Sequence, residues 1–308
     1  MGAGYYSYDT AQMRRSVKYE RASMEEIFTQ TTMNPMMNPY GKVRECCENE
    51  EHPDTLPIII GLDVTGSMGH VPAHLIKNDF PEVMKKILDE GVPCPQLCFA
   101  AYGDHLCDEF PLQVGQFEAS DELMEKWLTS IYLEGGGGGN GGESTSLVYY
   151  FAARHTSCDA IKKRGKKGLL ITIGDEPNHA DYSMKALHNL FGGAEKGVTS
   201  GEIIAEARKS WEIYHINILD WVGSSNTVKK CWKELLGDHF ISVEDNTDAN
   251  ISNMIAHLAV EHYKKQNNTA TTAAKAVNNN VQSNTAAAAA NTAVTDNSTD
   301  GYRPPKML

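Results

Sequence analysis

Four apolar runs of strand length constrain this chain more than any other feature: Leu56–Leu62, Gln96–Tyr102, Gly168–Gly174 and Ile213–Leu219. In the first, Ile58, Ile59, Ile60 and Leu62 leave no polar alternation, the pattern of a strand covered on both faces. Between the runs, apolar residues recur at helical spacing. Leu75, Ile76, Phe80, Val83, Met84, Ile87 and Leu88 mark one helix, interrupted near Pro81 and stopped by Gly91 and Pro93. Ser120 caps a helix with Leu123, Trp127, Leu128 and Ile131. Thr199 and Glu202 form a capping box before Ile203, Ile204, Ala207 and Trp211. Val228, Cys231, Trp232, Leu235 and Leu236 give another helix, and Ile251, Met254, Ile255 and Leu258 a closing one. Phe110–Phe117 reads as an edge strand and Phe240–Val243 as a short one. Strands alternating with helices predict an α/β fold: a doubly wound, mostly parallel sheet with helices on both faces. Such sheets bind ligands at the carboxyl ends of their strands, near the point where strand order reverses.

The first run ends in Asp63, followed by the hydroxyls of Thr65 and Ser67, with Gly66 and Gly69 letting the chain turn. Two-residue spacing aims the three side chains toward one side of a tight turn. One carboxylate and two hydroxyls make a crown of hard oxygen ligands, the type that Mg²⁺ and Ca²⁺ take. The third run is followed at once by Asp175. Two carboxylates at two buried strand ends point to a divalent-metal site at a strand-to-helix turn. The competing reading makes Asp63 a helix cap and Thr65 and Ser67 ordinary turn formers. The coincidence with Asp175 and with the glycine run Gly135–Gly142 outweighs it.

A net charge of −12 over 308 residues argues against a nucleic-acid surface, which needs clustered Lys and Arg. Seven cysteines, an odd number that includes the adjacent pair Cys46–Cys47, form no disulfide framework and suit a reducing compartment. No apolar run approaches the roughly 18 residues of a membrane span, and the start of the chain lacks a signal peptide's apolar core. The expectation is a cytoplasmic protein with neither nucleic acid nor membrane as partner. Residues 1–55 form a polar, turn-rich extension, with a helix expected over Thr10–Phe28 whose inner face carries Met13, Val17, Met24 and Ile27. The domain itself spans 56–265. From 266 to 308 the chain is rich in Asn, Thr and Ala and has too few large apolar side chains to offset ordering entropy, so a disordered tail is expected.

Asp63-Val-Thr65-Gly-Ser67 resembles the DxSxS motif of von Willebrand factor A (VWA) domains, with threonine for the first serine. That family builds a metal-ion-dependent adhesion site (MIDAS) from this motif, a hydroxyl in a later loop and an aspartate after a central strand. The resemblance covers about residues 56–263 and implies a VWA, Rossmann-like sheet. Asp175, Pro177 and His179 are similar to the DxPxH segment of a VWA subgroup, and Asn140 and Glu143 approximate its GGGDxPE loop. The loop departs from the usual pattern, so Asn140, Glu143, Ser144 and Thr145 all compete for the second-motif position. Thr145 is favoured because a hydroxyl ligates without adding charge. The implied site is Asp63, Thr65, Ser67, Thr145 and Asp175 around Mg²⁺ (or Mn²⁺ or Ca²⁺), with an open position that takes an acidic residue of a partner protein. The resemblance further implies a non-enzymatic adaptor or scaffold, in some cases working with AAA+ ATPases.

The enzyme alternative is a metal-dependent hydrolase using Asp63 or Ser67. A haloacid-dehalogenase-type phosphatase needs a second carboxylate at position 65, which is Thr, and a nucleophile elbow around Ser67 lacks its first glycine. The run Gly135–Gly142 has no GK[ST] ending, so it is no phosphate cradle. Cys94, Cys98, His105 and Cys107 suggest zinc, but the two cysteines along a strand read as buried structural thiols. Lys162, Lys163, Arg164, Lys166 and Lys167 read as a solvated loop, and His179 either as an orienter of Asp175 or as an ordinary loop residue.

Overall fold

The apolar run at Ile58 lies in a nine-residue strand, Thr55–Asp63, of which every residue is buried. The computed structural model of the chain describes residues 4–66, 68–135, 141–218, 225–243 and 251–268. Its strands are β1 (Arg44–Cys46), β2 (Thr55–Asp63), β3 (Cys94–Tyr102), β4 (Leu112–Val114), β5 (Thr156–Cys158), β6 (Gly168–Gly174), β7 (Asp181–Tyr182), β8 (Val198–Thr199), β9 (Trp211–Ile218) and β10 (Phe240–Val243). Its helices are α1 (Tyr8–Arg14), α2 (Met24–Ile27), α3 (His70–His74), α4 (Phe80–Asp89), α5 (Asp121–Thr129), α6 (Ser146–Arg154), α7 (Asp159–Arg164), α8 (Met184–Phe191), α9 (Ser200–Ala207) and α10 (Ser225–Leu236). A further helix over 251–263 follows.

Six strands form the main sheet in the order β10-β9-β6-β2-β3-β4. All neighbours are parallel except the edge pair β3–β4. The chain leaves β2 for β3 and β4 on one side, then returns to β6 on the other side and continues outward to β9 and β10. Strand order therefore reverses between β2 and β6, the two strands that deliver Asp63 and Asp175. The mostly parallel α/β sheet is as the sequence predicts. The expected edge strand Phe110–Phe117 contracts to β4, antiparallel to β3.

Alternate residues of β2 face two separate cores. Ile58, Ile60 and Leu62 pack with α4 residues Phe80, Val83 and Met84 and with Ile251 and Ile255. Ile59 belongs to the other core, which also holds Val148 and Phe151 of α6 and Trp232 of α10. Fully burying each isoleucine contributes about 1.5–3 kcal/mol. The helix expected over Leu75–Leu88 is interrupted as its proline implies: a π-helical stretch, Leu75–Asp79, joins α3 to α4, and Pro81 sits in the first turn of α4. The Thr199–Glu202 capping box is present at α9.

Ahead of β1, the expected single helix is instead two. α1 runs into a π-helical turn, Arg15–Tyr19, and α2 restarts behind its own capping box, Ser23 with Glu26. The expected inner face is also corrected, since Met13 is 60% and Val17 78% exposed. Polar anchors orient the segment instead. Arg14 pairs with Asp121 and Glu125 of α5, and the Tyr19 hydroxyl donates to Glu125 Oε1 at 2.6 Å. Ile27, Phe28 and Met37 then enter the core. The basic stretch near 164 is likewise paired: Arg164 donates to Glu48 Oε1 and to the Thr55 carbonyl, both at 2.6 Å, and pairs with Asp54.

The chain divides into a compact unit, Met1–Tyr263, and a second, Lys264–Leu308. In the second, residues 264–268 are helical, and the tail expected from 266 lies outside the described residues from 269 onward. Among the described residues no helix is long and apolar enough to cross a membrane.

Gly61 sets how closely α6 approaches β2. A Cβ there would stand 3.0 Å from Thr172 Cγ2 and 3.2 Å from Val148 Cγ1. Gly61→Val is expected to lower stability by about 1–3 kcal/mol through overpacking. A urea unfolding midpoint that does not move would contradict this contact.

Candidate functional site

Asp63 ends β2 with its side chain 1% exposed. Its Oδ1 accepts the Thr65 amide at 3.0 Å and the Thr65 hydroxyl at 2.7 Å. This local turn is what the Asp-x-Thr spacing dictates. Among the described residues no donor reaches Oδ2. Burial pushes the Asp63 carboxyl up to about 7, against the bonds from Thr65, and the charges of Asp175 and Glu176 add to the shift. Gly174, the last residue of β6, makes room for this carboxylate: a Cβ there would lie 3.1 Å from Asp63 Oδ2 and collide with the Tyr102 hydroxyl. That hydroxyl is fixed by donating to the Ile173 carbonyl at 2.8 Å.

A second buried carboxylate joins from the loop before α6. Glu143 is 6% exposed, and Oε2 meets no hydrogen-bond partner among the described residues. Burial, then the charges of Asp63, Asp104, Asp108 and Asp175, push it up to about 9. Thr145, 1% exposed, also has an unmatched Oγ1 among those residues. It sits near enough to Tyr102 to influence its phenol, without completing a hydrogen bond of good geometry. Asp175 is half-buried directly after β6. Asn178 locks this loop to α6: its Oδ1 accepts the Ser146 amide at 2.9 Å, and its Nδ2 donates to Ser146 Oγ at 2.9 Å and Ser200 Oγ at 2.7 Å. The Glu143 amide donates to the Pro177 carbonyl at 2.8 Å, and the His179 amide to the Glu143 carbonyl at 3.0 Å.

Beside this cluster, Asp104 follows β3 with its side chain 1% exposed. Its Oδ1 lies 2.7 Å from His179 Nε2 and 3.7 Å from His105 Nδ1. Ser144 is wholly buried, with Oγ 2.7 Å from His105 Nδ1.

The donor types are those that a hard divalent cation takes. They are carboxylate and hydroxyl oxygens, three of them (Asp63 Oδ2, Glu143 Oε2 and Thr145 Oγ1) buried and unmatched among the described residues. The structure brings together four of the expected residues, Asp63, Thr65, Thr145 and Asp175. Ser67 and Asn140 lie outside the described residues. Of the competing loop residues, Ser144 turns toward His105 and Glu143 toward Asp63. Asp104 and Tyr102 were not anticipated as part of this neighbourhood. A strand-end signal for Asp104 exists in the sequence, since Tyr102-Gly103-Asp104 repeats the pattern of an apolar run closing on a carboxylate. Cys94 and Cys98 are buried in β3, as expected for structural thiols.

No protein-family model matches the chain, and no curated protein matches it. Among solved structures it is similar to the pilus adhesin SpaC from Lactobacillus rhamnosus GG in its open conformation. That match has 10% identity and a TM-score of 0.47, over 73% of this chain and 31% of SpaC, so the chain spans about a third of that protein. It is also similar to the vWF domain of the type V pili tip protein Mfa5 from Porphyromonas gingivalis, with 9% identity and a TM-score of 0.43, over 67% of this chain and 94% of that one. The fold class stated above rests on the strand order itself.

The Asp63 shift has a sign that can be measured. A carboxyl raised from 3.8 to about 7 by folding binds its proton more tightly in the folded state. Its contribution to stability therefore falls as pH rises through that window and is constant above it. In chelator-treated protein, the stability of wild type minus that of Asp63→Asn is expected to decline from about pH 4 to about pH 7 and then level. Denaturant unfolding across this range checks it, and a flat difference would contradict the buried, unmatched carboxylate.

Proposed function

We propose that this chain is a metal-dependent protein-binding module of VWA-like fold, an adaptor rather than an enzyme. Asp63, Thr65, Ser67, Thr145 and Asp175, joined by Glu143, would hold Mg²⁺ (or Mn²⁺ or Ca²⁺) at the carboxyl ends of β2 and β6. The observation that carries this reading is the set of buried, unmatched oxygens on Asp63, Glu143 and Thr145 where strand order reverses. When bound, the cation supplies a Lewis-acidic position that an acidic side chain of a protein ligand completes. The chain's own residues set the dependence. In their ionised forms Asp63, Glu143 and Asp175 would repel a carboxylate, so capture of one requires a cation that displaces their protons and offsets their charge. Thr65 holds Asp63 Oδ1, leaving Oδ2 without a donor among the described residues. An AAA+ ATPase assembly as partner follows from the resemblance alone, and seven free cysteines suit a reducing, cytoplasmic setting for it.

The hydrolase reading draws less support. Position 65 offers a hydroxyl already donated to Asp63, where a phosphatase of that kind needs a second carboxylate. Ser144, beside His105 and Asp104, resembles a nucleophile but is 0% exposed and beyond the reach of a substrate. Calorimetric titration of Mg²⁺ and Mn²⁺ tests the proposal. Wild type is expected to bind and Asp63→Ala to show no binding heat while keeping its circular dichroism. A protein ligand captured by wild type is expected to be lost on chelation. Equal heats from both proteins would sink the proposal.

A further inference from the structure

Two loops, at the carboxyl ends of β3 and β6, bring two imidazoles onto one buried carboxylate. Asp104, His105 and His179 each offer a ligand atom, and these atoms lie within 4.8 Å of one another. The side chains are 1%, 11% and 15% exposed. The rings of His105 and His179 stand edge to face with centroids 5.3 Å apart. Two further donors stand beside them: Ser144 Oγ, 2.7 Å from His105 Nδ1, and the Cys107 thiol, 3.3 Å from Asp104 Oδ2.

We propose that Asp104, His105 and His179 form a second cation site, separate from the oxygen-lined cluster at Asp63 and selective for a borderline first-row cation such as Zn²⁺. The donor chemistry separates the two. Imidazole nitrogen suits zinc and its neighbours, whereas magnesium and calcium take oxygen. Zinc bonds of about 2.0–2.2 Å need donors some 3–4 Å apart. The present separations of 2.7 Å and 3.7 Å from Asp104 Oδ1 bracket that spacing, so small ring rotations suffice. On binding, the cation replaces the direct Asp104–His179 hydrogen bond, and His105 exchanges its contact with Ser144 for the metal.

The backbone holds these loops in place without a ligand. The Leu106 amide donates to Asp104 Oδ1 at 3.0 Å, and the Asp104 amide to Asp108 Oδ2 at 2.6 Å. The Ser144 amide donates to the Gly103 carbonyl at 3.0 Å, and His179 is tied to Glu143 as described. The site does not depend on the Asp63 cluster being occupied. It does share the Glu143 loop with it, so zinc would stiffen a segment of the first site.

The test uses the full chain, stripped with chelator and titrated with Zn²⁺ against a chromophoric competitor. Wild type is expected to bind one Zn²⁺, with affinity falling at least about tenfold in His179→Gln and in His105→Gln. Asp63→Ala is expected to keep zinc affinity. Asp104→Asn preserves shape and the acceptor for Leu106 while removing the charged ligand, and it is expected to weaken zinc without a matching loss of thermal stability in the stripped protein. Co²⁺ in place of Zn²⁺ should give visible ligand-field bands in wild type that the histidine variants lose. Three results would overturn the proposal: no zinc bound by wild type, zinc bound equally by both histidine variants, or zinc lost in Asp63→Ala and kept in the histidine variants. Failure of Mg²⁺ to bind at Asp63 would leave the zinc result standing, so the two proposals fail separately.

Discussion

Asp63 ends the central strand of the sheet at 1% exposure, with one carboxylate oxygen bonded to Thr65 and the other meeting no donor among the described residues. Burying an ionised carboxylate without a partner costs several kcal/mol, so such a group keeps its proton or holds a cation. Glu143 faces the same choice, and the charge of Asp63 makes its ionisation harder. Two buried carboxylates and a buried threonine hydroxyl with spare lone pairs make poor structural elements on their own. In the proposed reading, a bound cation would offset the cost of burying them.

The scaffold holds this unfavourable group in place by removing alternatives to it. Glycine at 174 leaves space that any side chain would take from Asp63 and Tyr102. Glycine at 61 brings α6 against β2, and α6 begins just after Thr145. Asn178 ties the loop after β6 to the start of α6 and to Ser200. The Trp232 indole donates to the Glu176 carbonyl at 3.0 Å, holding the same loop from α10. Geometry fixed in this way before a ligand arrives leaves little ordering to be done at binding.

Much of this was legible in the chain because buried strands announce themselves. The runs at Ile58, Leu97, Leu169 and Ile213 became β2, β3, β6 and β9, and Asp63 and Asp175 fell at strand ends on either side of the point where order reverses. The capping box at Thr199 and the interruption near Pro81 are local, and local chemistry decided them. What the chain concealed depends on contacts far apart in sequence. Nothing in the spacing of His179 places it against Asp104, 75 residues away. Cys94, Cys98 and Cys107 suggest zinc beside His105 in the sequence, whereas the ligand atoms that stand near His105 belong to Asp104 and to His179 in the loop after β6. In the N-terminal helix Met13 and Val17 mimic an inner face, whereas Arg14 and Tyr19 bond to α5 and turn that face to solvent. Periodicity records apolar spacing, and here ion pairs chose the orientation.

Diffraction from crystals grown with Mn²⁺ and collected at the manganese edge tests the central claim most directly. The account predicts an anomalous peak within coordination distance of Asp63 Oδ2 and at least one of Glu143, Thr145 and Asp175. A peak elsewhere, or none in crystals that bind manganese in solution, would contradict it and return Asp63 to the role of a protonated turn residue.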